Sequence, residues 1–281
     1  EKTGFLSTVE YGIGPAAYPN PYRQSTPEAP LIHEKLSEMT KAGCTYAVVE
    51  ATSHGLSPKT ARLADVRFQA AVFTNISHEH LEFHGSFEQY ASDKAELFRR
   101  LAPLQDGRPA PAVINGDDTH AGFFAECSAG RVLTYGLNET SAPDVQASGI
   151  SLTPGGSVFS VTYRSSNYGS ISFRSTLTLP GTVNIYNAMA ALTVTSEVLG
   201  LDPRTVAAKL PELRGVSGRM ERISAGQPFE VIVDYAHTPG SFSVLFPQIR
   251  ESAAGRVIAV FGSAGERDTA SLELDIETAS G

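Results

Sequence analysis

Apolar residues follow two rhythms along the 281 residues of this chain, and the places where one gives way to the other mark its elements. Compact apolar runs at 45–49, 69–74, 112–115 and 132–135 are too short for helices and read as buried strands. Helical patterns stand between them, the alternation that builds a parallel sheet. From 145 to 179 the texture changes to Ser, Thr and Gly with β-branched alternation, SVFSVTYRS and SISFRSTLTL, which predicts an antiparallel excursion. Helices return from 184 to 213, and GVSGR near Gly215 marks a boundary, after which FEVIVD, a helix and RVIAVFG begin another unit. The expected fold is α/β: a central, mostly parallel sheet domain over 1–217 with an antiparallel β excursion, then the start of a second α/β domain over 218–281.

One helix breaks its own pattern. In SFEQYASDKAELFRRL, Ser86 is placed as N-cap with Gln89 three residues on, a capping box. Its apolar stripe runs through Tyr90, Leu97, Phe98 and Leu101, and Lys94 falls on that stripe. A lysine there either snorkels to the helix edge or sits in a polar pocket where its amine is deprotonated or chemically used. Just upstream, His78, His80 and His84 are interleaved with Glu79 and Glu82 directly after an apolar strand, where open α/β sheets place their ligands. The HxHxDH pattern of metal-dependent hydrolases fails, because Glu82 and Phe83 stand where Asp and His belong. Glu50 ends the strand TYAVVE, a position suited to a hard cation such as magnesium. Glu50, the histidines and Lys94 together suggest one metal and phosphate site.

Other segments carry weaker signals. Ser25 and Thr26 precede Pro27, an N-cap and N1 arrangement for a helix running through Leu36 and Met39. In NIYNAMAALTVTSEVLG, Asn184 reads as N-cap, Ala188, Ala191, Leu192 and Val198 as the apolar face, and Gly200 as the stop. The net charge of −8 argues against a nucleic-acid-binding face, so a polyanionic substrate would be met by local arginines and metal. Cys44 and Cys127 are the only cysteines, which indicates neither a disulfide framework nor a zinc site. No apolar run is long enough to insert in a membrane and no signal peptide is visible, so the expected setting is the cytoplasm.

EATSHGL, VFTNISHEHLEFHG, Lys94 fourteen residues after His80, NIYNAMAAL, GVSGRMERI, VDYAHTP and VFGSAGERD occur in an order that resembles the Mur ligase family. Within it the chain is most similar to the MurE-type branch, which adds the third amino acid to UDP-N-acetylmuramoyl-L-alanyl-D-glutamate. The resemblance implies an ATPase-type central domain, a Rossmann-like second domain and a part in cell-wall synthesis, cell shape and division. It implies that Lys94 carries a carbamate, that His80 and Lys94 attend one magnesium ion and that Glu50 attends another. It implies that Ser25, Thr26 and Thr52 bind the UDP-muramoyl peptide. A glutamine and an arginine usual in the family are here Pro58 and Thr60, and Arg62 is the candidate to replace that arginine. Asn187 is implied near adenine, Arg219 at a phosphate, Asp234 at the ribose, and His237 as a further neighbour.

The implied partners are the UDP-muramoyl dipeptide, ATP as substrate, and lysine, ornithine or diaminopimelate, with the enzyme a monomer. No GxxxxGK[ST] phosphate loop occurs in the chain, and TASLELDIETASG departs from the expected Lys-Arg-Pro continuation. The expectation is therefore an internal fragment, inactive as it stands, of an ATP-dependent amide ligase working through an acyl phosphate. The alternatives are a folylpolyglutamate synthetase-like ligase and a catalytically inactive nucleotide-binding module.

Overall fold

A computed structural model describes residues 2–22, 24–77, 81–153, 155–237 and 239–262. Its first sheet has the order β3-β2-β1-β4. Strands β1 (Thr3–Leu6), β2 (Glu10–Ile13) and β3 (Ala16–Pro19) form an antiparallel meander. Helix α1 (Ala29–Lys41) crosses over, and β4 (Tyr46–Val49) returns parallel to β1. Ile32 and Met39 of α1 pack with Leu6, Leu56 and Leu63 in a small core of their own. The short helix α2 (Ser53–Leu56) follows β4 directly, capped by Thr52.

The second sheet begins with β5 (Ala71–Phe73) and is followed by helices α3 (Leu81–His84) and α4 (Phe87–Arg99). Then come β6 (Pro111–Asn115), α5 (Ala121–Glu126) and β7 (Arg131–Gly136). Strands β8 (Val145–Thr153), β9 (Gly156–Ser165) and β10 (Gly169–Leu177) complete it. Pairing is parallel from β5 to β8 and antiparallel from β8 to β10, as the change of texture at 145 predicts. Strand β6 is buried on both faces. Ile114 meets Tyr90, Phe98 and Phe124 on the side of α4 and α5, while Val113 joins Tyr135, Phe159 and Tyr163 beneath helix α6 (Thr182–Leu199). That two-sided burial explains why the run lacks strict alternation.

Glu197 of α6 pins the excursion. Its buried carboxylate accepts from the hydroxyl of Tyr163 at 3.0 Å and the amide of Asn167 at 2.6 Å, and it pairs with Arg131. The short helix α7 (Pro203–Ala207) follows, and then an antiparallel ribbon of β11 (Glu221–Ile223) and β12 (Val231–Val233) and helix α8 (Pro239–Ser252).

Four expectations need correction. Helix α1 starts at Ala29 with Glu28 as N-cap, so neither Ser25 nor Thr26 caps it. Tertiary hydrogen bonds claim the Thr26 hydroxyl instead. Helix α6 starts at Thr182 with Gly181 as N-cap, and Asn184 lies a turn inside, its side-chain amide reaching back to the carbonyl of Pro180 at 2.7 Å. Ala191 is exposed, because the buried stripe runs through Ile185, Met189 and Leu192. The run RVIAVFG forms no strand, and its Val260 is 95% exposed: among the described residues no neighbouring strand offers it a ladder.

Candidate functional site

Linked polar side chains stand at the carboxyl ends of β4, β5, β6 and β7, the end at which parallel sheets bind ligands. At β4 the chain passes from Val49 into Glu50 and then into the cap of α2. Glu50 is exposed and held from one side by Thr8, in the turn between β1 and β2. The Thr8 amide donates to Glu50 Oε2 at 2.7 Å, and its hydroxyl lies 2.9 and 2.8 Å from the two carboxylate oxygens. The same hydroxyl lies 2.7 Å from Ser25 Oγ.

Thr26 ties the next layer. Its hydroxyl donates to the Glu50 carbonyl at 2.9 Å and accepts from the Thr52 amide and hydroxyl, each at 3.0 Å. Thr52 Oγ1 in turn accepts from the Gly55 amide at 3.2 Å, which is its capping bond. Gly55 has no side chain for a reason of space: a Cβ there would stand 2.3 Å from Thr26 Cγ2. Arg62 completes the set, donating to the Thr26 carbonyl at 3.0 Å and pairing with Glu28 at 2.6 Å. The chain reaches that point through Ala61 in a left-handed conformation, φ 53°, which non-glycine residues seldom adopt. Thr26, Glu50, Thr52 and Arg62 are therefore brought together around Thr26, and Thr8, which sequence reading missed, joins Ser25 to the Glu50 carboxylate.

Helix α4 packs against α2, to which its Asp93 is linked through His84. Ser86 caps it by accepting from the Gln89 amide at 3.1 Å. The reciprocal half of the capping box is replaced, because the Gln89 side chain donates to Asp93 Oδ1 at 2.7 Å. Lys94 is half-buried on the stripe with Tyr90 and Phe98, its Nζ 5.3 Å from the centre of the Tyr90 ring. His84 is no surface histidine: it is buried, with Nδ1 2.8 Å from Asp93 Oδ2 and Nε2 3.0 Å from Ser53 Oγ. His78 and His80 lie outside the described residues. Among the described residues no three His, Cys, Asp or Glu side chains converge on a common point.

The loop after β6 holds a second carboxylate centre that sequence reading passed over. Asp117 accepts from the amides of Leu137 and Asn138 at 2.6 and 3.1 Å, from Ser141 Oγ at 2.6 Å and from the Tyr186 hydroxyl at 2.8 Å. Burial alone would raise its pKa, but the four donors win and hold it below the usual carboxylate value. The same carboxylate, after burial, keeps the Tyr186 hydroxyl protonated far above its ordinary range. Asn115 donates to the Thr74 carbonyl at 2.7 Å and Asp118 accepts from the Ile76 amide at 3.2 Å, so the loop leading to His78 is fixed from β6. The signal was present: NGDD after a buried strand repeats the placement of Glu50 after β4.

A further group lies around the β11–β12 ribbon. Asp234 accepts from the amides of Met220 and Ala236, both at 2.8 Å, and the Arg219 guanidinium lies 4.8 Å from the Tyr235 ring centre. His237 is exposed, its Nδ1 2.9 Å from the Tyr235 carbonyl oxygen. Asn187 stands on the exposed side of α6, one residue after Tyr186.

Magnesium takes oxygen donors and commonly keeps one or two protein carboxylates beside substrate phosphates and water. Glu50, aimed by Thr8 among hydroxyls, fits that habit. The expected second ion rests on His80, outside the described residues, and on Lys94, which fits only as an anion, since an ammonium repels a cation.

Residues 1–195 match the Mur ligase middle domain, and residues 218–279 match the Mur ligase glutamate ligase domain. A UDP-N-acetylmuramyl-tripeptide synthetase from Roseiflexus sp. (strain RS-1) is 49% identical over 286 residues, covering 99% of this chain and 54% of its own length. A solved UDP-N-acetylmuramoyl-L-alanyl-D-glutamate--2,6-diaminopimelate ligase superposes with TM-score 0.72 at 30% identity, covering 100% of this chain and 54% of its own. A folylpolyglutamate synthase from Mycobacterium tuberculosis, solved with ADP and AMPPCP, shares the fold at TM-score 0.62 and 21% identity, covering 89% of this chain and 60% of its own. The chain spans about half the length of the curated relatives it matches.

Proposed function

The chain belongs to the Mur ligase family, and from that membership we propose that it forms part of an ATP-dependent ligase that adds the third amino acid to UDP-N-acetylmuramoyl-L-alanyl-D-glutamate. The carrying observation is the linked set Thr8, Ser25, Thr26, Glu50 and Thr52, in which the exposed Glu50 carboxylate stands among the part-exposed hydroxyls of Thr8, Ser25 and Thr52 at the end of a parallel strand, with the buried Thr26 tying them from beneath. Such a surface suits a substrate rich in hydroxyl, amide and phosphate groups, and it suits the charge that collects there during phosphoryl transfer. The two matched segments support a middle domain over 1–217 and a glutamate-ligase domain beginning at 218. The setting is the cytoplasm and the enzyme a monomer; among the described residues no helix is long and apolar enough to cross a membrane.

In this reading the γ-phosphoryl of ATP passes to an oxygen of the D-glutamate carboxylate and ADP leaves. The amine of lysine, ornithine or diaminopimelate then attacks the acyl carbon, loses a proton, and phosphate departs. Magnesium, when bound, would neutralise the crowded phosphate oxygens beside Glu50. Ser25 and Thr52 orient the muramoyl peptide, and Thr26, as buried as Ser53, serves it indirectly by holding Thr52 and the Glu50 carbonyl, with Arg62 supporting the Thr26 carbonyl. Lys94 acts as an N-carboxylysine, an anion on the stripe where an ammonium is costly, and His80 works beside it. On the nucleotide side Asn187 meets adenine, Asp234 the ribose, and Arg219 and His237 the phosphates, with Arg219 stacked on Tyr235.

The test is ADP release by the full-length enzyme with UDP-muramoyl dipeptide and each of the three amino acids in turn. Turnover with one of them is expected; turnover only with a folate and glutamate moves the chain to the folylpolyglutamate branch, and none with either leaves a nucleotide-binding module. Lys94→Ala is expected to cut kcat at least ~100-fold, the scale on which charge-stabilising groups act, with partial recovery when short-chain carboxylates are added. An Ala variant at near-normal rate returns Lys94 to a snorkelling lysine.

A further inference from the structure

Ser53, His84 and Asp93 form a closed chain of hydrogen bonds between α2, α3 and α4. All three are nearly inaccessible, at 2%, 4% and 2% exposure. A carboxylate only accepts, so the Asp93 carboxylate accepts a hydrogen bond from His84 Nδ1–H, and Nε2 on the other side of the ring is hydrogen-bonded to the Ser53 hydroxyl. Gln89 holds the other carboxylate oxygen at 2.7 Å, so the Asp93 carboxylate is oriented from both sides.

The order resembles that of a nucleophilic serine, but burial excludes that use: a serine at 2% exposure meets no acyl substrate. Its meaning lies in its sequence neighbours. Ser53 directly follows Thr52, which binds Thr26 and caps α2, and Asp93 directly precedes Lys94 on α4. A buried polar chain costs desolvation that apolar packing would avoid, and what it adds is a fixed geometry. Here the geometry fixed is the spacing between the strand end that carries Glu50 and Thr52 and the helix that carries Lys94.

We propose that Ser53, His84 and Asp93 are positioning residues that set the register of the Glu50–Thr52 turn against Lys94. This rests on the ligase reading above. Each residue acts through its neighbour and touches no reacting atom; a shift of about 1 Å at such a centre is enough to cost ~100-fold in rate.

The experiment uses the full-length enzyme carrying Asp93→Asn, Ser53→Ala and both together, with kcat, KM and thermal unfolding measured on each. Asn at 93 keeps size and removes the charge that selects the His84 tautomer. Asp93→Asn is expected to lower kcat about 10–100-fold, with KM for ATP and for the muramoyl dipeptide little changed and the protein folded at the assay temperature. Asp93→Glu is expected to recover part of that loss. The double variant is expected to be no slower than Asp93→Asn alone, since the residues act as one unit. A lowered unfolding temperature with normal kcat per folded molecule, or losses that simply multiply, would overturn the proposal. Lys94→Ala keeps the two readings apart. If it is inactive and rescued by carboxylates while Asp93→Asn turns over normally, only the positioning role fails. If Lys94→Ala turns over normally, the ligase centre itself has been misread.

Discussion

Thr26 shows how much one hydroxyl carries here: it joins the Glu50 carbonyl to the Thr52 amide and hydroxyl, and its methyl closes against Gly55. Gly55→Ala would drive a methyl to 2.3 Å from Thr26 Cγ2, so the turn must open. We expect it to cost ~1–3 kcal/mol of stability and to raise KM for the muramoyl dipeptide, read by steady-state kinetics and urea unfolding. Asp117 gives a pH signature. Its folded pKa lies below the 3.8 of a free aspartate, so the stability it adds is complete above that value and is lost as pH falls through the lower folded value. Asp117→Asn should therefore destabilise the protein at neutral pH and flatten the acid limb of its stability profile; an unchanged limb would show that the donors around Asp117 do not stabilise the charge. Of these residues, the place of Glu50 at a strand end was legible from local wording, whereas Thr26 reads locally as a helix cap, and its partners lie 24 and 26 residues away. Thr8 was not legible, because its partner lies 42 residues away, and for Asp117 the sequence shows the position after a strand but not the partners, up to 69 residues away.

Helix α4 separates local from tertiary causes. Ser86→Ala removes the acceptor of the Gln89 amide and is expected to cost ~1 kcal/mol, the usual worth of an N-cap, in thermal unfolding. Gln89→Ala leaves that bond in place and should act through Asp93 instead. The capping-box spacing predicted the helix start correctly and the fate of Gln89 wrongly, since its side-chain N–H donates to the Asp93 carboxylate, a charge-assisted bond stronger than the neutral one its oxygen would accept from the Ser86 amide. The same competition moved the start of α1 past Ser25 and Thr26, and set Asn184 a turn inside α6. Gly200 ends α6 as expected, in the left-handed conformation, φ 66°, that a glycine adopts without strain.

Among the described residues strand β4 pairs only with β1, and β5 only with β6. Between the free edge of β4 and the residues leading into β5 lies a cavity of about 820 Å³, walled by Leu36 of α1 and by Val194 and Val198 of α6. Val48 is 62% exposed there, an unusual state for a strand of four residues reading YAVV. Strands β4 to β7, the bodies of α1, α4 and α6, the change from parallel to antiparallel pairing at β8 and the positions of Glu50 and Lys94 follow from periodicity and short motifs, because each depends on residues within a turn or a strand of one another, whereas the β1–β3 meander and the absence of a strand at RVIAVFG do not. The clasp of Thr8 on Glu50, the burial of His84 between Ser53 and Asp93, the Asp117 hub and the open cleft beside β4 depend on segments brought together across tens of residues. Hydrogen bonds go to whichever partner the packed chain presents, and no local pattern encodes which one that will be.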